Sequence, residues 1–127
     1  MEKNTEHLGK ISNEPIGELD MVNWEGEKIL VHFDCTEFSS HCPVTGQPDF
    51  GRLEISYIPK DKIIETKSLK LYLWSFRHMR KFNEGIVDTI AKQIFDQAKP
   101  EWCEVIGNFN PRGGISVTAR AEKGKRP

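Results

Sequence analysis

The clearest pattern along the chain is the alternation of Leu53, Ile55 and Tyr57 with Glu54 and Ser56, whose period of two predicts a strand over Arg52 to Pro59. Ile29, Leu30 and Val31 form the apolar centre of an earlier strand over Lys28 to Phe33. Between them, Ser39 to Gly51 reads as a loop punctuated by Pro43, Gly46 and Pro48. The period then changes. Leu69, Leu71, Tyr72, Leu73 and Phe76 fall within Ser68 to Phe76, a stretch with no Gly or Pro to break a helix. A second helix is predicted from an Asn83 cap, with the stripe Ile86, Val87, Ile90, Ala91, Ile94, Phe95 and Ala98 and a stop at Pro100. Trp102 to Phe109 is again strand-like, and the turn Asn110 to Gly114 leads into a strand over Ile115 to Ala119.

Residues 1–27 lack periodicity and read as an arm, with an edge strand near Leu19 to Val22. Residues 28–121 form the domain, and 122–127 a charged tail. The order strand–strand–helix–helix–strand–strand predicts an α+β layer, an antiparallel sheet with both helices on one face. Its outer strands would expose unpaired backbone, which self-association covers.

Composition narrows the function. A chain of 127 residues with 37% hydrophobic positions supports one modest core, which again favours a homo-oligomer. Eighteen basic residues against nineteen acidic ones leave a net charge of −1, so the footprint of a nucleic-acid binder is absent. No apolar run approaches the roughly 20 residues of a membrane span, and Met1 to Lys10 is too polar for a secretion signal. A soluble, cytoplasmic protein is expected. Three cysteines without a C-x-x-C pair, and four histidines without metal-site spacing, predict neither a disulfide scaffold nor a metal centre.

Four segments carry candidate chemistry. Cys42 sits in a loop stiffened by Pro43 and Pro48, with Gly46 at its turn and Asp49 seven residues on. A rigidly held thiol can attack an electrophilic carbon, and a nearby carboxylic acid can exchange protons with the adduct. On spacing alone, a small buried thiol beside a turn-forming Asp accounts for the same residues. Cys35 and Cys103 lie in strand-like surroundings and read as structural. Lys67 and Lys70, three apart at a helix start, can hold a phosphate or simply be solvated. Glu84, in Phe82-Asn83-Glu84, is kept ionised by the helix dipole, which suits an N–H edge of a heterocycle as well as an ordinary first turn. Arg112, in the turn before Gly113, binds an anion or stays in solvent.

Taken together and in order, these segments resemble the NADPH-dependent 7-cyano-7-deazaguanine reductases of queuosine biosynthesis, in their short single-module form. The resemblance runs from about Phe33 to Ile115. Cys42 to Asp49 is similar to the family's catalytic loop, and Glu65 to Tyr72 to its cofactor signature E-[SL]-K-[SA]-x-K-[LY]-[YFW], with Thr66 as a departure. The family's F-H-E triplet becomes Phe82-Asn83-Glu84. The resemblance implies a tunnelling fold, a four-stranded antiparallel sheet with two helices on one face, whose subunits join into a ring barrel with sites between them. It implies that Cys42 forms a thioimide with the nitrile of 7-cyano-7-deazaguanine and that Asp49 donates a proton. Glu65, Phe82, Asn83 and Glu84 would bind the base, while Lys67, Lys70 and Arg112 would hold NADPH phosphates. Asn83 stands where the family has histidine and cannot exchange a proton near neutral pH. Two other readings are an amidine-forming relative acting on the same nitrile and a non-catalytic deazapurine binder.

Overall fold

The computed structural model describes residues 17–127; the part of the expected arm before residue 17 lies outside them. The alternation that predicted a strand is the centre of β3 (Pro48–Ile58), where Leu53, Ile55 and Tyr57 are buried and Arg52, Glu54 and Ser56 face the other way. It pairs antiparallel with β2 (Val31–His41) on one side and β5 (Trp102–Arg112) on the other. β6 (Ile115–Gly124) completes a four-stranded sheet in the order β2-β3-β5-β6. A second, two-stranded sheet pairs β1 (Met21–Asn23) with β4 (Lys62–Ile64).

Two helices, α1 (Thr66–Trp74) and α2 (Asn83–Ala98), share the core with the buried side chains of the four-stranded sheet. The stripe of α2 packs against β5 and β6, and Ile86, Ile90, Ala91 and Ile94 are fully buried. Gly107 lets the helix approach, because a Cβ there would lie 2.7 Å from Val87 and 2.6 Å from the Phe109 ring. The sheet's other face is polar, crossed by the ion pairs Arg52–Asp34 and Arg120–Glu104.

Several boundaries differ from the sequence reading, each for a local reason. Strand β2 starts later than Lys28 and runs on to His41, into the first three residues of the expected loop. A bulge between Cys35 and Phe38 shifts the register by one residue, so Val31, Phe33 and Cys35, then Phe38 and Ser40, turn inward. Two phases in one strand hide its alternation. Pro48 opens β3, a position where its missing N–H breaks no ladder, and this cuts the loop to residues 42–47. The expected cap Asn83 is the first helical residue; Phe82 is the N-cap and makes no side-chain cap bond. The expected tail is strand as far as Gly124, with Glu122 accepting from the Trp102 indole and Arg126 stacked 4.7 Å above that ring. At the other end Leu19 and Met21 are buried core residues, so this part of the arm belongs to the fold. The hydroxyl of Ser68 ties it down by accepting the Asp20 N–H at 2.9 Å.

Candidate active site

The loop that carries Cys42 closes on itself. The Cys42 N–H donates to the Gln47 carbonyl at 2.9 Å, and the Gly46 N–H donates back to the Cys42 carbonyl at 2.8 Å. Gly46 takes φ +73° with the Arg80 guanidinium packed over it, so that an added Cβ would meet Nη2 at 2.6 Å. This turn aims donors at sulfur. The Thr45 N–H, its hydroxyl and the Val44 N–H bring the Cys42 thiol below the ordinary range, against weaker opposition from desolvation and the Asp49 charge. The other two thiols are pushed up to about 11, both chiefly by burial. Cys42 is the thiol fitted to act as a nucleophile.

Asp49 lies one strand pair below, opposite Ser40, with its side chain 9% exposed. It is held by Arg112, whose Nη1 is 2.6 Å from Oδ1. The segment after α1 comes to the same end of the molecule. The His41 N–H donates to the Met79 carbonyl at 3.1 Å, His41 bridges to Arg80, and its ring stacks on His78 at 6.0 Å. Phe82, Asn83 and Glu84 follow directly. Phe82 and Glu84 are exposed, while the Asn83 side-chain oxygen is buried without a partner.

The remaining residues gather elsewhere. Glu65 is the N-cap of α1, and its two carboxylate oxygens accept the Lys67 and Ser68 N–H groups at 2.8 and 2.7 Å. Lys67 and Lys70 line a groove of about 890 Å³ between α1 and the bulged part of β2. Phe33, Leu69 and Trp74 give it an apolar wall, and Arg77 adds a third cation. The groove runs along α1 from Lys67 at its start to Ser39 and Arg77, and Arg77 adjoins His78, whose ring stacks on His41 beside Cys42. Arg112, which the resemblance assigns to the cofactor, is not among the groove residues of its own chain and is bonded to the Cys42 loop beside the Gly113–Gly114 turn. Sequence reasoning also passed over Val44, Thr45 and Gln47. The Thr45-Gly46 pair was the available signal, since a tight turn after a cysteine points amides back at sulfur. Among the described residues, no cluster of three or more His, Cys, Asp or Glu is placed to hold a metal ion.

A family described as QueF-like protein matches residues 48–127, most of the chain. The chain is 52% identical over 123 residues to the NADPH-dependent 7-cyano-7-deazaguanine reductase of Bacteroides thetaiotaomicron, covering 97% of this chain and 81% of that protein. The chain belongs to the QueF-like family. The reductase of the same name from Bacillus cytotoxicus is 43% identical over 97% of this chain and 74% of its own length. For that of Streptococcus mutans the match is 52% identical but spans only 54% of that protein. The crystal structure of an archaeosine synthase QueF-Like in the apo form superposes with a TM-score of 0.71 at 22% identity, over 77% of this chain and 96% of that one. This last likeness establishes a shared fold. No helix among the described residues is long and apolar enough to cross a membrane.

Proposed function

We propose that this chain reduces the nitrile of 7-cyano-7-deazaguanine to the aminomethyl group with two NADPH, through a thioimide on Cys42. The observation that carries the reading is the acidified thiol of Cys42 beside Asp49, in a chain half identical to a reductase of that name over nearly its whole length. Cys42 attacks the nitrile carbon; the S–C bond forms, and the thiol proton passes through Asp49 to the nitrile nitrogen. When the C–S bond later breaks, sulfur departs as a thiolate, stabilised by the Val44 and Thr45 donors that lower its proton affinity in the free chain. Phe82 offers an exposed ring for stacking on the base, and Glu84 and Glu65 offer carboxylates for its N–H groups.

The groove between α1 and β2 fits a dinucleotide. Its wall is apolar, its cations are Lys67, Lys70 and Arg77, and Asp34 on its border is already occupied by two bonds from Arg52. The bound cofactor supplies the hydrides, two being required to take a nitrile to an amine.

Because Glu65, Lys67 and Lys70 lie at the start of α1 while Cys42 follows the far end of β2, we assign the complete site to the junction of two copies. The arrangement of a tunnelling fold, with copies joined edge to edge into a ring, accommodates this. Four of the exposed apolar residues support it. Val44, Phe50, Phe82 and Ile115 are each more than half exposed, and all lie at the Cys42 end of the fold.

The test is intact mass after mixing the protein with 7-cyano-7-deazaguanine alone. The expected gain is one substrate mass on the wild type and on Cys35→Ala, with none on Cys42→Ala. On adding NADPH, two equivalents should be oxidised per base. An adduct without NADPH oxidation would favour the amidine-forming reading, and no adduct at all would leave a binder.

A further inference from the structure

Three polar side-chain atoms at the Cys42 end are buried without a partner among the described residues: Ser40 Oγ, His41 Nδ1 and Asn83 Oδ1. Ser40 is the deepest of these residues, at 1% exposure, while the other two are half-buried. A hydroxyl taken out of water with no bond in return is a net cost to the free fold. Its place in the strand pair shows what it faces. The β2–β3 ladder pairs Ser40 with Asp49 and His41 with Pro48, and it runs on in the bond from the Cys42 N–H to the Gln47 carbonyl. Residues directly opposite, and residues two apart, share one face of such a pair. Ser40 therefore shares a face with Asp49 across the ladder and with Cys42 along it. The surroundings agree, since Ser40 and Asp49 are both buried and the Asp49 charge is felt at the Cys42 thiol. His41, between Ser40 and Cys42, takes the other face and stacks its ring on His78.

We propose that the Ser40 hydroxyl donates a hydrogen bond to the nitrile nitrogen while Cys42 attacks the nitrile carbon. The inference rests on the reading of Cys42 as nucleophile. A nitrile nitrogen only accepts, and negative charge gathers on it as the S–C bond forms and one C–N π bond opens. A buried donor already in place stabilises that charge without reorganising. The proton that leaves sulfur ends on nitrogen, giving S–C=N–H, and Ser40 keeps its own. No electrons are gained or lost, so the step can be followed without NADPH. A hydroxyl suits the position because it rotates: it donates to the bare nitrogen and accepts once that nitrogen carries hydrogen.

The experiment compares wild type with Ser40→Ala by three readouts. These are the rate of adduct formation with 7-cyano-7-deazaguanine by intact mass, affinity for the same base by calorimetry in a Cys42→Ala background, and melting temperature at one fixed protein concentration. Ser40→Ala is expected to form adduct about 10²-fold more slowly, the scale of one lost donor to a developing charge. Affinity should be unchanged, because the bond strengthens only as the charge develops. The melting temperature should equal or exceed that of the wild type, because the variant removes a buried hydroxyl that has no partner. An adduct rate equal to wild type overturns the proposal. So does a loss of affinity as large as the loss of rate, which marks an ordinary contact with the base. A fall in melting temperature, or failure to fold, overturns it as well, since the hydroxyl would then be holding the fold or a second copy. Absence of adduct in the wild type would instead overturn the reading of Cys42.

Discussion

Glu65→Ala and Glu65→Asp separate two tasks that fall on one carboxylate. In the structure both oxygens of Glu65 are engaged at the start of α1, accepting the N–H groups of Lys67 and Ser68 at 2.8 and 2.7 Å. Each oxygen retains a lone pair, so the group can still read a base. Loss of the cap and of its charge at the helix N-terminus should cost about 1–2 kcal/mol. At an unfolding entropy of about 2.1 cal/mol/K per residue, that lowers the melting temperature of a chain this size by roughly 4–8 °C. Asp is itself a strong N-cap, so Glu65→Asp should melt within about 2 °C of wild type, equivalent to about 0.5 kcal/mol. Its carboxylate is one methylene shorter and falls short of the base, leaving an N–H group unpaired. That should weaken base binding about 5- to 150-fold, as a loss of about 1–3 kcal/mol implies. Differential scanning calorimetry at one fixed protein concentration reads the first quantity. Isothermal titration with 7-cyano-7-deazaguanine in a Cys42→Ala background, where only reversible binding remains, reads the second. If Glu65→Ala melts with wild type, the capping argument fails; if Glu65→Asp binds the base as well as wild type, the base-reading role fails.

Iodoacetamide should alkylate the folded protein at Cys42 first, with a rate midpoint below that of an ordinary thiol, because the turn donors favour the thiolate. Cys35 and Cys103, pushed up to about 11, should react only in strong alkali or after unfolding; peptide mapping that finds Cys35 labelled first would refute the ordering. Asp49→Asn should retain base affinity and lower turnover by about 10² or more, the usual scale for a lost proton-transfer group. Normal turnover would reduce Asp49 to a loop-structuring residue. Lys67→Ala should raise the Michaelis constant for NADPH while leaving adduct formation at the wild-type rate, since Lys67 lies at the start of α1, at the other end of that helix from the His78–His41 contact beside Cys42. A slower adduct step would place Lys67 in the wrong half of the site.

What was legible in the sequence is what periodicity and side-chain identity can encode. The strand through Leu53, Ile55 and Tyr57, the α2 stripe and the Cys42-to-Asp49 loop are each written in consecutive residues, and the structure carries the two helices on an antiparallel sheet as expected. What was hidden depends on distant partners. The bulge in β2 splits its alternation into two phases, so the strand was read only as far as Phe33 and its last residues, Ser39 to His41, read as loop. β4 is three residues whose pairing with β1 makes sense only once the Tyr57 hydroxyl accepts the Ile64 N–H at 2.8 Å. Gly124 and Glu122 look like tail because nothing nearby announces the Trp102 that they pack against. Arg112 was seen as a cation near a turn, and its partner 63 residues earlier could not be read from the turn.

The separation of the candidate residues into two groups has a chemical logic. Adduct formation needs a thiolate, a proton carrier and a surface for the base, and these come from the Cys42 loop, the end of β5 and the start of α2, tied together by the Arg112 and His41 contacts. Hydride delivery needs cations and an apolar wall, and these come from α1 and the bulged strand β2. β2 is also an edge of the four-stranded sheet, as is β6. A copy pairing along such an edge would satisfy the backbone groups that the edge leaves open and would lay its own residues against the groove in one motion. The bulge that obscured β2 in the sequence lines the groove, and on the proposed reading the same edge would serve both assembly and cofactor binding. On this reading a chain held monomeric should form the Cys42 adduct with weakened base binding, because Glu65 reaches the base only across the junction, and should lose the hydride step. That outcome distinguishes a shared site from one complete within a single copy.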